Sequence, residues 1–450
     1  MAGRVQLEAV GPQDRLFTDD PEYTYFIKNF KKHGNYAKFY TDLEFDGRIE
    51  FGEEVRCTIP QDQGDLLKGV SLKITLNPID QNLVSGYNHI TYCESIAQAM
   101  IEYADIYIGG SLIQRVPSDM LAIHSELYVT QSKQRSLKKL IGKPFQTFSV
   151  YDDYNIRIRE NLLTESKVET SYRVDIPFYF HEYPELAIPL YAITKQEIEI
   201  VVKLRKAEEC IFAVVTPSGL KSNSYYIGQN PTGLIKEMKP TFEMVSLDEK
   251  TKRFPDHVDY VITQTQQNQI DLNAADGRYN AALECNEHEV RLEFRNSVKE
   301  LFFVVQDKFD NNPLVVNDFA TPFQYGSNVY FDTNNFFTNN EQVKYIGLTF
   351  DGEEVLNDVT GNLVHIRAIQ PGKHHSRTPV YRRFYMYNFG LEPERWYPTG
   401  QLNFSNIKNQ LIKIGLFNYL PNLDKQLRVY AQSYNILRVE NGTAKLLFET

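Results

Sequence analysis

Apolar and polar residues alternate with a period of two in one short run after another, and a turn signal closes almost every run. Glu54-Val-Arg-Cys-Thr-Ile59 and Val70-Ser-Leu-Lys-Ile-Thr-Leu76 alternate cleanly, and Glu197–Leu204, Val290–Phe294 and Val298–Val305 follow the same logic. Between the runs lie Asp46-Gly47, Gly109-Gly110, Asn311-Asn312-Pro313, Asp351-Gly352 and Asn441-Gly442, the residue types that tight turns demand. The 29 Tyr and 28 Phe, against a single Trp, suit pleated packed surfaces. Helical signals are few. Ser118–Leu127 is the best, with Ser118 as N-cap after Pro117, and Gly361–Ala368 is a weaker second. Many short strands and rare helices point to an all-β chain, a β-sandwich or jelly roll.

The same order of elements occurs twice. Ala104–Ile113 reads as strand, glycine turn, strand. A short helix, a loop, the strand Val174–Phe180 and corners at Pro184 and Pro189 follow. Lys344–Val355 is again strand, turn, strand, followed by the weaker helix, a loop, the strand Arg383–Phe389 and corners at Pro393 and Pro398. This repetition argues for a duplicated domain. At ~150 residues per domain, 450 residues give about three, and large β domains push the number to two. The natural seam is the charged stretch Asp248–His257, closed by Pro255.

A net charge of −10 leaves no global basic field for nucleic acid, and four cysteines are too few for a disulfide-built fold. The N-terminus lacks the apolar run of a signal peptide, Ala2 breaks the myristoylation pattern, and no stretch nears the ~20 apolar residues of a spanning helix. The expectation is folding in cytosol with free thiols at Cys57, Cys93, Cys210 and Cys285; the sequons at Asn403 and Asn441 then read as chance matches. Hydrolase, P-loop, zincin and C-x-x-C patterns are missing, and no catalytic pair can be chosen among 58 Asp and Glu. Tyr107-Ile-Gly-Gly-Ser111 fits a hairpin better than a phosphate turn. His374-His375, read as strand residues, would point to opposite faces and make a poor metal pair. Lys31, Lys32 and His33 read as a solvated or subunit-facing strand end. No residue is assigned a catalytic, cofactor-binding or metal-ligating role, and no enzyme activity is expected.

Read in order, motifs that run from Gly11-Pro-Gln-Asp14 through Gln370–His375 to Tyr434–Gly442 together resemble the double jelly-roll major capsid proteins of nucleocytoplasmic large DNA viruses. Near the N-terminus they are Gly11-Pro-Gln-Asp14, Pro21–Phe26, Lys31–Ala37, Phe51-Gly52 and Gly64-Asp-Leu66. In the middle they are Ile108-Gly-Gly110, Ile176–Phe180, Leu186–Leu190, Leu247–Phe254 and Asp259–Gln264. The most specific lie toward the C-terminus: Gln370–His375, Pro398-Thr-Gly400 with Asn403-Phe-Ser405, and Tyr434–Gly442. The family's Arg-Arg-His-Thr-Asn is Lys31–Asn35 here, its aromatic-Tyr-Ser-Phe-Ala strand is Tyr385–Gly390, and its Pro-Ser-Gly is Pro398–Gly400.

The resemblance implies two consecutive eight-stranded antiparallel jelly-roll β-sandwiches with short helices in loops. Residues 1–21 would form an N-terminal arm, 22–247 the first roll, 248–257 a linker and 258–450 the second roll. It implies a homotrimer that tiles an icosahedral virion shell, assembled in the host cytoplasm. Its partners would be neighbouring capsomers and minor capsid and penton proteins. The polar arm, up to about Asp20, would reach these or an inner membrane, and no direct nucleic-acid contact is implied. Stretches 130–172, 214–236 and 307–342 are candidates for outer loops. Gly11–Asp14, Gly109, Gly110, Asn403–Ser405 and Asn435–Gly442 are expected to set turns and pack the rolls. Two other readings stand beside this one. The first is a related double-barrel scaffold of immature particles. The second is a glycan-binding β-sandwich using its aromatics as sugar platforms.

Overall fold

The computed structural model describes residues 2–27, 32–83, 89–143, 166–215, 223–226, 231–249, 252, 255–307, 323, 325, 342–357, 363–379, 382–417 and 424–448. Contacts divide the chain into two compact units, Met1–Tyr36 with Leu247–Arg253, and Ala37–Ser246 with Phe254–Thr450. The smaller unit holds α1 (Ala2–Glu8) and α2 (Pro12–Thr18). Pro12 opens α2 where a missing N–H costs nothing, and the Asp14 carboxylate accepts the Gly11 N–H at 2.9 Å. The arm expected to be polar exposes Leu7, Leu16 and Phe17.

Among the described residues, sixteen principal strands build the two halves of the chain. The first eight are β1 (Tyr36–Asp42), β2 (Glu54–Thr58), β3 (Leu66–Leu76), β4 (Ile101–Ile108), β5 (Ser111–Pro117), β6 (Thr170–Ile176), β7 (Ile198–Leu204) and β8 (Ile235–Leu247). The rest are β9 (His257–Leu272), β10 (Cys285–Arg291), β11 (Ser297–Asp307), β12 (Val343–Phe350), β13 (Glu353–Asn357), β14 (Tyr385–Asn388), β15 (Gln410–Phe417) and β16 (Lys425–Glu440). The first half forms sheets of order β1-β8-β3-β6 and β2-β7-β4-β5. The second half forms β9-β16-β11-β14 and β10-β15-β12-β13. Adding eight to each label of the first pair yields the second, which is the topological form of the repetition seen in the sequence. Shorter strands, such as His89–Tyr92 and Thr443–Leu446, attach outside these paths.

The halves also share a bulge. In β3 the register slips between Leu67–Met244 and Gly69–Glu243, leaving Lys68 extra. In β11 it slips between Val298–Ser433 and Glu300–Gln432, leaving Lys299 extra. One additional residue at the same place, a lysine both times, puts the two halves in a residue-by-residue register.

Packing explains the two kinds of strand seen in the sequence. β3 alternates because only one of its faces is deeply apolar: Val70, Leu72, Ile74 and Leu76 turn inward, while Lys73 stands exposed. Leu301-Phe-Phe-Val-Val305 of β11 is apolar without interruption because both faces are covered. Leu301, Phe303 and Val305 enter the second-half core, and Phe302 and Val304 join the core of the first half. At ~25 cal/mol per Å² of apolar area, a side chain such as Phe302 contributes about 2 kcal/mol or more by leaving water.

Local differences from the sequence reading have plain causes. The strand expected over Val174–Phe180 stops at Ile176, because Pro177 brings no N–H to the ladder. The strand expected to reach Phe294 ends at Arg291. Helix α3 spans Ser118–Leu127 as expected, but Pro117, extended at φ −68° and ψ 157°, holds the cap position. Ser118 is the first helical residue, and its buried hydroxyl has no hydrogen-bond partner. A second helix, α4 (Gln131–Ile141), occupies part of the stretch expected as an outer loop, and Gly142 at φ +74° ends it. The weaker helical signal becomes a π-turn at His365–Ile369 running into α5 (Gln370–His374); Gly361 and Asn362 lie outside the described residues. Residues 144–165 of the first candidate outer loop, 216–222 and 227–230 of the second, and 308–322, 324 and 326–341 of the third also lie outside them. Among the described residues no helix is long and apolar enough to cross a membrane.

Candidate functional site: the seam between the two halves

Within the larger unit, the outer face of sheet β9-β16-β11-β14 packs on the first half. Three clusters of buried charge stand along this seam. In the first, Asp119 in the opening turn of α3 accepts three hydrogen bonds: from Arg428 Nε at 2.6 Å, Tyr430 Oη at 2.6 Å and Tyr325 Oη at 2.7 Å. Burial pushes the Asp119 carboxyl up, but the Arg428 guanidinium and the two phenols outweigh it and hold it below its ordinary value. Tyr325 lies in the third candidate outer loop, so that segment plants at least one aromatic residue in the seam.

The second cluster centres on Glu126, near the end of α3. Lys143 Nζ donates to its Oε1 at 2.5 Å, and Arg377 and Arg382 approach at 3.4 and 3.9 Å. Burial again opposes ionisation, but Lys143 and Arg382 bring the carboxyl down to about 2. Arg382 also donates to the Phe323 carbonyl at 3.1 Å and stacks over the Phe323 ring at 4.9 Å.

The third gathers around Glu300, just after the bulge in β11. Its carboxylate accepts from Tyr128 Oη at 3.0 Å and meets His375 Nε2 at 3.0 Å. His375 Nδ1 faces Glu394 at 3.2 Å, so both ring nitrogens point at carboxylates. Burial works against a charged imidazole here, yet Glu300 and Glu394 outweigh it and raise its pKa. Neighbouring Lys299 is the opposite case: burial dominates and lowers it, although Glu300 lies 3.7 Å away.

Neutral bonds complete the seam. Gln264 Nε2 donates to the Ile113 carbonyl at 2.6 Å, and buried Asn435 donates to Gln264 at 2.7 Å. Lys195 N–H bonds the Gly442 carbonyl at 3.0 Å, and Ala444 N–H bonds Gln196 Oε1 at 2.6 Å. The motif positions Asn435 and Gly442 therefore pack one half on the other. Gly109 approaches the same Gln196 so closely that a Cβ would lie 2.4 Å from its Nε2. Asn403 and Ser405 act inside the second half instead: Asn403 Oδ1 accepts the Ser405 N–H at 3.0 Å, and Ser405 Oγ accepts the Asn296 N–H at 2.8 Å.

His374 and His375 are not strand neighbours, as the sequence suggested; they close α5, with His375 buried and His374 bonded to the Leu391 carbonyl. No group of three His, Cys, Asp or Glu among the described residues is placed to hold a metal ion. All four cysteines are free and buried, and burial raises the Cys57 thiol to about 11, a poor nucleophile. At the seam Asp119, Glu126 and Glu300 each meet an opposite charge or a hydroxyl, an arrangement that fastens one half to the other.

Sequence reasoning missed Asp119, Glu126, Glu300 and Arg428. The signal available for two of them was a charge interrupting an apolar strand, as in Val298-Lys-Glu-Leu-Phe-Phe303 and Leu427-Arg-Val-Tyr-Ala431.

Comparison with known proteins agrees with this architecture. Two consecutive family models match, major capsid protein N-terminus over residues 24–245 and large eukaryotic DNA virus major capsid protein over residues 249–445. The major capsid protein of Phaeocystis pouchetii virus is 24% identical over 99% of both chains. That of Paramecium bursaria Chlorella virus 1 is 23% identical over 100% of both. Among solved structures, a quasi-atomic model of the PBCV-1 virus capsid matches with a TM-score of 0.70 at 18% identity, covering 95% of this chain and 100% of that one. The Faustovirus major capsid protein matches at 0.66 and 13% identity, over 97% and 96%. These neighbours share the fold, and the two consecutive family matches run through both halves: the chain belongs to the major capsid protein family of large eukaryotic DNA viruses.

Proposed function

We propose that this protein is the repeating subunit of a virion shell, and that three copies form a pseudo-hexagonal capsomer that tiles an icosahedral capsid. The observation that carries this reading is the duplicated sheet order with its shared bulge. Two like domains in one chain offer near-equivalent edges, so three chains present six similar sides. Each roll then has eight strands, four in each of its two principal sheets, with boundaries near residues 22–247 and 258–450. The seam locks the two rolls at a fixed angle, which a tile needs. The protein acts as a structural part and not as an enzyme. The exposed Leu7, Leu16 and Phe17 of the arm suit contact with minor capsid proteins or an inner membrane. Neighbouring capsomers and penton proteins complete the shell, which is assembled in the host cytoplasm.

Quantitative mass spectrometry of gradient-purified mature particles tests the role. The chain should be among their most abundant proteins. Presence in immature particles and absence from mature ones would mean a scaffold instead.

A further inference from the structure

Cys93 and Cys210 stand opposite each other at the end of a small sheet in the first half. Its strand His89–Tyr92 pairs antiparallel with Ile211–Val215, and the register sets Ile211 against Tyr92. One step further brings Cys210 against Cys93, and the Cys93 N–H donates to the Cys210 carbonyl at 2.9 Å. Opposed, hydrogen-bonded residues of an antiparallel pair hold their Cα atoms about 5.5 Å apart, with both side chains on one face. A disulfide spans about 4.4–6.8 Å between Cα atoms, so this spacing suits a bridge without backbone movement.

The surroundings keep the pair out of ordinary thiol chemistry. Cys93 is 1% exposed and Cys210 is fully buried. Cys210 Sγ also donates to the Ala99 carbonyl at 3.8 Å. Burial, with the Cys210 thiol hydrogen-bonded beside it, pushes the Cys93 thiol well up. The closed site therefore holds a protonated dithiol that reacts only when it opens. The other two thiols have no such neighbour in register: Cys57 lies in β2 of the first half and Cys285 opens β10 of the second.

We propose that Cys93 and Cys210 form a redox site, a dithiol under reducing conditions that closes to an intrachain disulfide when it meets a small disulfide oxidant such as oxidised glutathione. One cysteine thiolate attacks the oxidant and expels one glutathione thiolate. The second cysteine thiolate attacks the resulting mixed disulfide and expels the other. One S–S bond breaks and one forms, the cysteine pair is oxidised, the glutathione disulfide is reduced, and the two cysteine protons end on the two released glutathiones. Joining residues 93 and 210 closes a loop of about 120 residues. That loop carries β4, β5, β6 and β7 together with α3, the helix that holds Asp119 and Glu126 at the seam. The bridge restrains the unfolded chain over this part and leaves the folded chain as it is. It belongs to the single chain, so it holds whether or not copies associate.

The test is a redox equilibration of the full chain, read by peptide mapping. The folded protein is held in oxidised or reduced glutathione just below its thermal midpoint, where local opening admits the reagent. It is then acid-quenched, alkylated in denaturant and digested without reductant. The oxidised sample should give a cross-linked peptide that joins Cys93 to Cys210, with Cys57 and Cys285 alkylated. The reduced sample should give four alkylated cysteines. The thermal midpoint should be higher by about 5 °C in the oxidised chain, and Cys210→Ala should abolish the rise. The peptide map needs no substitution, so it decides the matter even if that variant misfolds. Cys93 and Cys210 fully alkylated after oxidation, capped separately by glutathione, or bridged to Cys57 or Cys285 would each overturn the proposal.

Discussion

Asp119 shows how much one residue can decide. It is 5% exposed and, among the described residues, is the carboxylate paired with Arg428 at the seam. Asp119→Ala would leave that guanidinium buried without its partner, a loss of roughly 3–5 kcal/mol. Equilibrium urea denaturation should show the lower midpoint, and Arg428→Met in the same chain should recover much of it, because two apolar residues strand no charge. Gly442 makes a different test. Its φ is +82°, and a Cβ there would lie 2.8 Å from Thr194 Oγ1 across the seam. Gly352 has a similar φ of +90° but open space around it. Gly442→Ala should therefore cost more than Gly352→Ala, whose penalty is the backbone strain of about 1–2 kcal/mol. Thermal unfolding of the two variants makes the comparison. Both turns could be read from Asn441-Gly442 and Asp351-Gly352. The tight contact at the first could not, because Thr194 is distant in sequence and meets Gly442 only after the rolls pack.

At the scale of elements, the strands could be read wherever a single face is buried, as in β3. The uninterrupted run of β11 gave a strand but not its orientation, since a strand covered on both sides has no polar face to mark it. Helix α4 escaped notice. Its first turn has no acid, and the Thr130 side chain at the cap position accepts no backbone N–H, so the local signals that betray a helix start are weak. The seam between elements should respond to pH from both sides. Asp119, Glu126 and Glu300 sit below their ordinary values, so their contribution is complete above about pH 4.5. It fades as pH falls, toward about 2 for Glu126. His375 sits above its ordinary value, so its contribution is complete below about pH 6.5 and fades as pH rises through the raised value. His375→Gln should destabilise the chain in mildly acidic buffer and remove the alkaline fade. Urea midpoints measured across the pH range, wild type against variant, would show the fade unchanged if His375 were not responsible.

For the whole molecule, the duplication was legible because element order survives when identity does not. Strand, glycine turn, strand, helix, strand and proline corner recur in both halves. The inequality of the two outer faces was not legible, because it depends on which residues of β3 and β11 are equivalent, and that register is fixed by bulges at Lys68 and Lys299. Once the register is known, Phe302 and Val304 of the seam sheet stand where the other roll has Ser71 and Lys73.

The central claim is that the chain is built to close a ring of three. The most direct test is the solution mass of the purified protein, by light scattering coupled to size exclusion at low ionic strength. Three copies of the 52.2 kDa chain are expected in one particle. A well-folded single chain at micromolar concentration would contradict the claim.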